Sequence, residues 1–385
     1  MLNELLLPLR EYFGFLNLFE YITFRAGASA ILALLISFIF GPFVVKKLIN
    51  LQIGESIRDH GPDSHKEKQG TPTMGGVLII LSTIIPTVLL ADLNNLFIQI
   101  ICISMVWMGL VGFYDDYLKV VKKRKDGLSG RYKLLAQTIL GVFISYILIS
   151  SNVYGDYTLL TFVPFLKNVS INFFYPIIYA VFIILVVSAT SNAVNLTDGL
   201  DGLAAGLLAI SVSVFGVIAY ISGRVDFTDY LYIAYLPLAS ELTIFATAFF
   251  GGCLGFLWFN AKPAEIFMGD VGSLSTGAAL GTLAILLKKE VLLLIVGGVF
   301  VIETLSVIIQ VLYFRYTKNK YGTGKKFFLM APIHHHFELK GWPESRVVTR
   351  FWIIGILFAL MSLSLIHISE PTRPRLISYA VFCLK

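Results

Sequence analysis

About ten separate runs of roughly 20 apolar residues recur along this chain, and they constrain it more than any other feature, because about 20 residues are what an α-helix needs to cross a bilayer. The runs lie near 22–45, 73–91, 95–114, 133–152, 171–193, 202–222, 237–259, 267–287, 290–314 and 350–367. Of the 385 residues, 57% are hydrophobic and only 14% charged, which excludes both a set of water-soluble domains and a disordered chain. Three cysteines are too few for a disulfide-stapled secreted domain, and Cys102 and Cys253 sit inside apolar runs as small core residues. The expected fold class is an all-α polytopic membrane protein of about ten transmembrane helices. Met1 to Glu20 mixes Leu and Phe with Arg10, Glu11 and Glu20 and lacks a signal peptide's basic start and cleavage site. It reads as a retained interfacial helix.

The charge of +6 invites a nucleic-acid reading, but the Lys and Arg residues are confined to the segments between apolar runs. Basic residues are held on the cytoplasmic side. With the N-terminus outside, 21 of the 30 fall in cytoplasmic segments, chiefly 46–72, 115–132 and 315–349, against six on the outer side and three in the last stretch. The expected location is therefore a cytoplasmic (inner) membrane with no nucleic-acid partner. The long loops are too polar to span and too short to be domains, so they can build only a surface site on the bundle. No internal repeat points to an inverted-repeat transporter.

Four polar clusters fall on that cytoplasmic face. Asp115 and Asp116 end the third run in GFYDDYLK; Asp198 and Asp201 lie in SNAVNLTDGLDGLA; Asp270 opens the eighth run in NAKPAEIFMGDVGS; His334, His335 and His336 lie in APIHHHFE. Taken singly, each has an ordinary explanation: a solvated helix end for the DD pair, helix caps for Asp198, Asp201 and Asp270, and an exposed loop for the histidines. Lys68 in EKQGTPTMGG reads alone as a surface lysine, and Phe267 as an interfacial aromatic. Their joint occurrence on one face points to a single site. Five carboxylates gathered there repel one another and need protons, lysines or a metal. Oxygen ligands suit a hard divalent cation, and Mg2+ commonly combines one or two carboxylates with substrate phosphates and water. No GxxxxGK[ST] loop is present, and no cysteine near the histidines favours zinc.

GTPTMGG, GFYDDYLK, NAVNLTDGLDGLA, FMGDVGS and PIHHHFE, in this order, resemble the bacterial phospho-N-acetylmuramoyl-pentapeptide transferase family, and the likeness runs to about residue 362. The DD and NxxDGxDGLA motifs alone indicate only the wider superfamily of polyprenyl-phosphate sugar-1-phosphate transferases. GTPTMGG and PIHHHFE narrow it to the muramoyl-pentapeptide branch. The resemblance implies a Mg2+-dependent reaction of UDP-N-acetylmuramoyl-pentapeptide with undecaprenyl phosphate in the bilayer, giving lipid I and UMP. It implies catalytic roles for Asp115, which would deprotonate or orient the lipid phosphate, and for Asp116, Asp270 and His334. Asp270 is the foremost metal ligand, with Asp116 and Asp198 beside it. Asn195, Asp198, Asp201 and Asn260 would surround the nucleotide and Phe267 would stack on uracil. Lys68, Thr73, Lys119 and Lys133 would line the substrate site, the lysines facing the diphosphate, with His335 and His336 closing the pocket over the sugar-phosphate. Family members are often homodimers, so a homodimer is expected, although nothing in the sequence identifies its face.

Three competing readings rank lower, and one of them, a purely structural membrane scaffold, would not need five clustered aspartates. A superfamily enzyme using an N-acetylglucosamine donor would keep the aspartates and differ around His334. An ion-coupled transporter would place its carboxylates near the midplane of broken helices rather than at helix ends. A single transferase domain is expected over 1–362. Residues 363–385, with the abrupt Pro371–Arg375 stretch, resemble a translated sequencing adaptor and read as an artefactual tail.

Overall fold

The computed structural model describes residues 10, 12–50, 70–124, 127–164, 169–231 and 233–367. Half of the expected interfacial helix, Lys68 and residues 368–385 lie outside them. After a 3₁₀ turn (Gly14–Glu20) come α1 (Ile22–Asn50), α2 (Gly76–Leu90), α3 (Leu96–Val120) and α4 (Gly130–Ser150). A small hairpin, β1 (Leu160–Phe162) and β2 (Ser170–Asn172), pairs Leu160 with Asn172 in antiparallel register. Then follow α5 (Pro176–Thr197), α6 (Leu203–Ser222), α7 (Val225–Leu231), α8 (Ala239–Asn260), α9 (Gly269–Leu286), α10 (Glu290–Val296), α11 (Gly298–Tyr321), α12 (Ile333–Leu339) and α13 (Glu344–His367).

Each of the ten expected runs contains a helix, although 171–193 opens in β2 and turns helical only at Pro176, and among the described residues eight helices are long and apolar enough to cross a membrane. Local chemistry sets several ends. Asn95 caps α3 by accepting from the Phe97 and Ile98 amides, Pro176 opens α5, and Gly322 closes α11 at φ 75°. The 73–91 run starts later than its hydropathy suggests, because Thr73 to Gly75 serve the site below. The 290–314 run breaks between α10 and α11 at Gly297 and Gly298, and α11 is largely exposed.

Helix α9 is short of the apolar content of a lipid-facing span for a physical reason. Every residue from Val271 to Leu286 is buried, so α9 meets protein on all sides and carries Gly, Ala, Ser and Thr in place of large apolar groups. It packs against α3, α5 and α2. The approach is close: a Cβ on Gly76 would overlap the Gly272 backbone, and one on Gly112 would overlap the Asp270 carbonyl. Around this core, α1, α4, α11 and α13 turn large apolar side chains outward, among them Phe43, Tyr146, Leu312 and Leu360. An outer surface of that kind matches hydrocarbon rather than water.

Two of the six bases assigned to the outer side are buried rather than solvent-facing. Arg25 is buried and donates from Nη2 to Glu241 Oε1 (2.7 Å), and from Nη1 to Glu241 Oε2 (2.9 Å) and the Leu90 carbonyl (3.0 Å). Glu241 also accepts from the Asp92 amide (2.8 Å), so one bidentate pair ties the start of α1, the end of α2 and the start of α8. Lys288 is fully buried. Its Nζ donates to the Thr158 carbonyl and to Tyr179 Oη, both at 2.7 Å, and lies 4.4 Å from the ring centroids of Tyr154 and Tyr179. Glu290 bonds the Thr161 hydroxyl, so this corner fastens the hairpin to the end of α9.

Candidate active site

Two short segments bring the site together. The Phe267 amide donates to the Pro72 carbonyl (2.8 Å), and the Gly75 and Gly76 amides donate to the carbonyls of Phe267 (2.8 Å) and Met268 (2.9 Å). TPTMGG and IFMGD are thereby clasped edge to edge at the start of α9. Gly269 turns the chain there at φ 69°, where L side chains are strained, and a Cβ on it would lie 2.6 Å from Asp116 Oδ2 and 2.8 Å from Thr73 Oγ1. This glycine delivers Asp270 beside the last turns of α3.

Asp115, Asp116 and Asp270 form one cluster, with a carboxylate oxygen from each within 4.8 Å of the others. Asp115 is fully buried and Asp116 nearly so. Lys119 Nζ sits 2.8 Å from Asp115 Oδ2 and 2.6 Å from Asp270 Oδ2; Lys133 Nζ sits 2.7 Å from both. Each lysine therefore bridges the two aspartates. Asp115 Oδ1 also accepts from the Leu128 amide (2.5 Å), and Asp116 Oδ2 from the Val271 amide (3.1 Å). Asn195, in the last turn of α5, donates to Asp270 Oδ1 (2.5 Å) and Ser273 Oγ (2.8 Å). Three carboxylates share two ammonium groups, and a hard cation fits that oxygen donor set.

Among the described residues, the other expected aspartates do not join the three-aspartate cluster. Asp198 follows α5 one turn after Asn195 and stands outside the three-aspartate cluster. Asp201 Oδ2 accepts from the Ala264 amide (3.3 Å), and Asn260 accepts from Gly202 N (2.9 Å) and donates to the Ile266 carbonyl (2.8 Å). Both brace the 261–266 loop that leads to Asp270. Glu344, which belongs to none of the sequence motifs, accepts from the Asp201 amide (2.9 Å) and pairs with Lys262 (2.7 Å). The Phe267 ring is half-buried.

The three histidines have different surroundings. His334 is fully buried, its Nδ1 3.1 Å from Glu303 Oε2 in α11. His335 Nδ1 lies 2.8 Å from Glu338 Oε2. His336 Nδ1 accepts from the Leu329 amide (3.1 Å), and burial together with the nearby Lys340 charge holds its imidazole below the ordinary histidine range, which matches a neutral acceptor. Glu303 and Glu344 do not stand out in the sequence because each is a lone carboxylate in or beside an apolar run. For Glu303 the available signal is an acid inside VIETLSVII, since intramembrane acids rarely lack a partner.

Comparison with known proteins agrees with this arrangement. The family model described as Glycosyl transferase family 4 matches residues 98–288, which carry all three clustered aspartates, and phospho-N-acetylmuramoyl-pentapeptide-transferase signature 1 matches residues 68–80, the segment clasped against Asp270. The chain is 49% identical to the phospho-N-acetylmuramoyl-pentapeptide-transferase of Desulfosudis oleivorans, covering 96% of this chain and 100% of the relative. It is 49% identical to that of Thermodesulfovibrio yellowstonii (94% and 98% covered) and 50% identical to that of Rickettsia felis (94% and 99%). Half of all positions retained over nearly the whole length, with the signature lying in the wall of the aspartate site, makes this chain a member of the phospho-N-acetylmuramoyl-pentapeptide transferase family.

Proposed function

We propose that the chain transfers phospho-N-acetylmuramoyl-pentapeptide from its UDP carrier to undecaprenyl phosphate, giving lipid I and UMP in peptidoglycan synthesis. The observation that carries this reading is the pair of lysines bridging Asp115 and Asp270 at the ends of membrane helices, where a soluble diphosphate and a lipid phosphate can meet. An oxygen of the lipid phosphate attacks the sugar-linked phosphorus; a new P–O bond forms, the bond to the UMP oxygen breaks, and UMP leaves. Lys119 and Lys133 draw the negative substrates in and neutralise their phosphate oxygens. Asp115 orients the lipid phosphate, and His334 to His336 with Asn195, Asp198, Asp201, Asn260 and Phe267 enclose the nucleotide sugar. Asp270 and Asp116 would hold Mg2+ with Asp115, their neighbour in the cluster, in place of the Asp198 expected from the sequence, and the ion would supply charge neutralisation on the phosphates when bound. Asp115 is engaged by two ammonium groups and a backbone amide, which leaves it a poor nucleophile and favours direct attack over an aspartyl-phosphate intermediate.

The cytoplasmic face carries the site in this proposal, with the N-terminus outside a bacterial inner membrane. The charge asymmetry supports it, and the support strengthens because Arg25 and Lys288 on the outer side are buried structural ions. A homodimer remains part of the proposal by family likeness.

Detergent-solubilised protein given undecaprenyl phosphate and Mg2+ is expected to release UMP from UDP-N-acetylmuramoyl-pentapeptide and not from UDP-N-acetylglucosamine, with EDTA abolishing release. Turnover of the second donor alone would move the chain to the neighbouring branch of the superfamily. Gly269→Ala tests the turn before Asp270: its Cβ must displace Asp116 or Thr73, and UMP release is expected to fall on the order of 10²-fold. Near wild-type release would show that the turn need not be held as described.

A further inference from the structure

Glu303 is a fully buried carboxylate in α11, a helix whose neighbouring turns are apolar, and His334 is a fully buried imidazole on α12. Burying either group alone is unfavourable, and their juxtaposition at 3.1 Å accounts for both. The opposite edge of the His334 ring faces Gly199: a Cβ there would overlap Nε2 and lie 3.0 Å from Cε1 and 3.4 Å from His335 Nε2. Gly199 directly follows Asp198 in NLTDGLDG. The imidazole is therefore wedged between a carboxylate rising from the membrane helix and the loop carrying Asp198 and Asp201. His334 Nε2 and Glu303 Oε1 are buried without a hydrogen-bond partner among the described residues, and the Nδ1 to Oε2 approach itself is bent away from hydrogen-bond geometry. Buried polar atoms left open in this way call for an explanation, and function is one.

We infer that Glu303 is a positioning residue, which holds the His334 imidazole with its Nδ1 edge toward the carboxylate and its Nε2 edge toward the Asp198 loop. A carboxylate 3.1 Å from Nδ1 favours a proton on that nitrogen by charge, without an aligned hydrogen bond, and sets the Nε2 edge against the Asp198 loop. His335 and His336 are oriented separately, by Glu338 and by the Leu329 amide, so the three adjacent histidines are set by three independent contacts. Gly199 has a matching part: only the absence of a side chain lets the ring approach the loop.

The activity arm of the test rests on the proposed transferase reaction. Glu303→Leu, which fills the volume without an oxygen, is expected to lower kcat on the order of 10²-fold while the donor KM changes less than about threefold. Glu303→Gln keeps an acceptor oxygen and should recover activity to within about fivefold of wild type. His334→Asn should lose as much as Glu303→Leu, and the double variant should lose no more than His334→Asn alone. Losses that add, a glutamine variant no better than leucine, or a KM effect in place of a kcat effect would overturn the assignment. A second arm needs no turnover: in 15N spectra of histidine-labelled protein, with His334 assigned by its loss in His334→Asn, the Nδ1–H signal should shift in Glu303→Gln. An unchanged signal overturns the pairing, and this arm decides the matter even if Glu303→Leu does not fold. Wild-type protein that releases no UMP would instead overturn the proposed reaction and leave the spectral result standing.

Discussion

Asp270→Asn is expected to reduce UMP release on the order of 10³-fold, equivalent to about 4 kcal/mol of lost transition-state stabilisation, while the protein stays folded. Asp270 Oδ2 takes both bridging lysines and Oδ1 takes Asn195, so this one carboxylate joins α3, α4, α5 and α9 at the reacting centre. The amide is the same size but carries no charge, which removes a metal-binding oxygen and releases both ammonium groups toward Asp115. Folding should survive because Asp115 still pairs with Lys119 and Lys133. The checks are turnover, the Mg2+ dependence of thermal melting and elution as a single detergent-bound species. Turnover within tenfold of wild type would remove Asp270 from the centre. Loss of the folded species would instead make its role structural.

The second large effect is on stability and lies at the other end of the bundle. Arg25→Met should destabilise the protein by about 3–5 kcal/mol, because it leaves the Glu241 carboxylate buried with no countercharge. Arg25→Met combined with Glu241→Met should recover much of that loss, since removing both ions removes the desolvation penalty. Recovery should be incomplete, because the Leu90 carbonyl and Asp92 amide lose their partners as well. Unfolding in mixed micelles with rising SDS, followed by tryptophan fluorescence, measures both. A single variant within about 1 kcal/mol of wild type would show that water or lipid headgroups reach Glu241.

Much of the candidate site is legible in the amino-acid sequence alone. Asp115, Asp116 and Asp270 belong to motifs at the ends of apolar runs, and successive spans can bring such ends to one side of a bilayer. Lys119 is one helical turn from Asp115, so its reach toward that carboxylate follows from helical spacing. Asn195 lies three residues before Asp198 in the same motif, which places both near the cluster without saying which touches Asp270. The structure gives that contact to Asn195, and it uses Asp201 and Asn260 to brace the loop ahead of Asp270. Motif membership carries no information on such distinctions, because they depend on a fraction of a helical turn.

Glu303 and Arg25 are not legible in the same way, and for a different reason. Arg25 pairs with a residue 216 positions away, and by sequence it is an ordinary interfacial base. Glu303 reads as one acid in an apolar helix until α12 folds back and sets His334 against it.

Hydropathy thus determines the class of fold and the helical segments, because a bilayer penalises each residue by its own side chain alone. Which ions pair, which glycines permit contact and which histidine meets which carboxylate were decided only by tertiary structure. These depend on close packing between distant segments, above all at Gly76 with Gly272 and Gly199 with His334, and no local property of the chain encodes that distance.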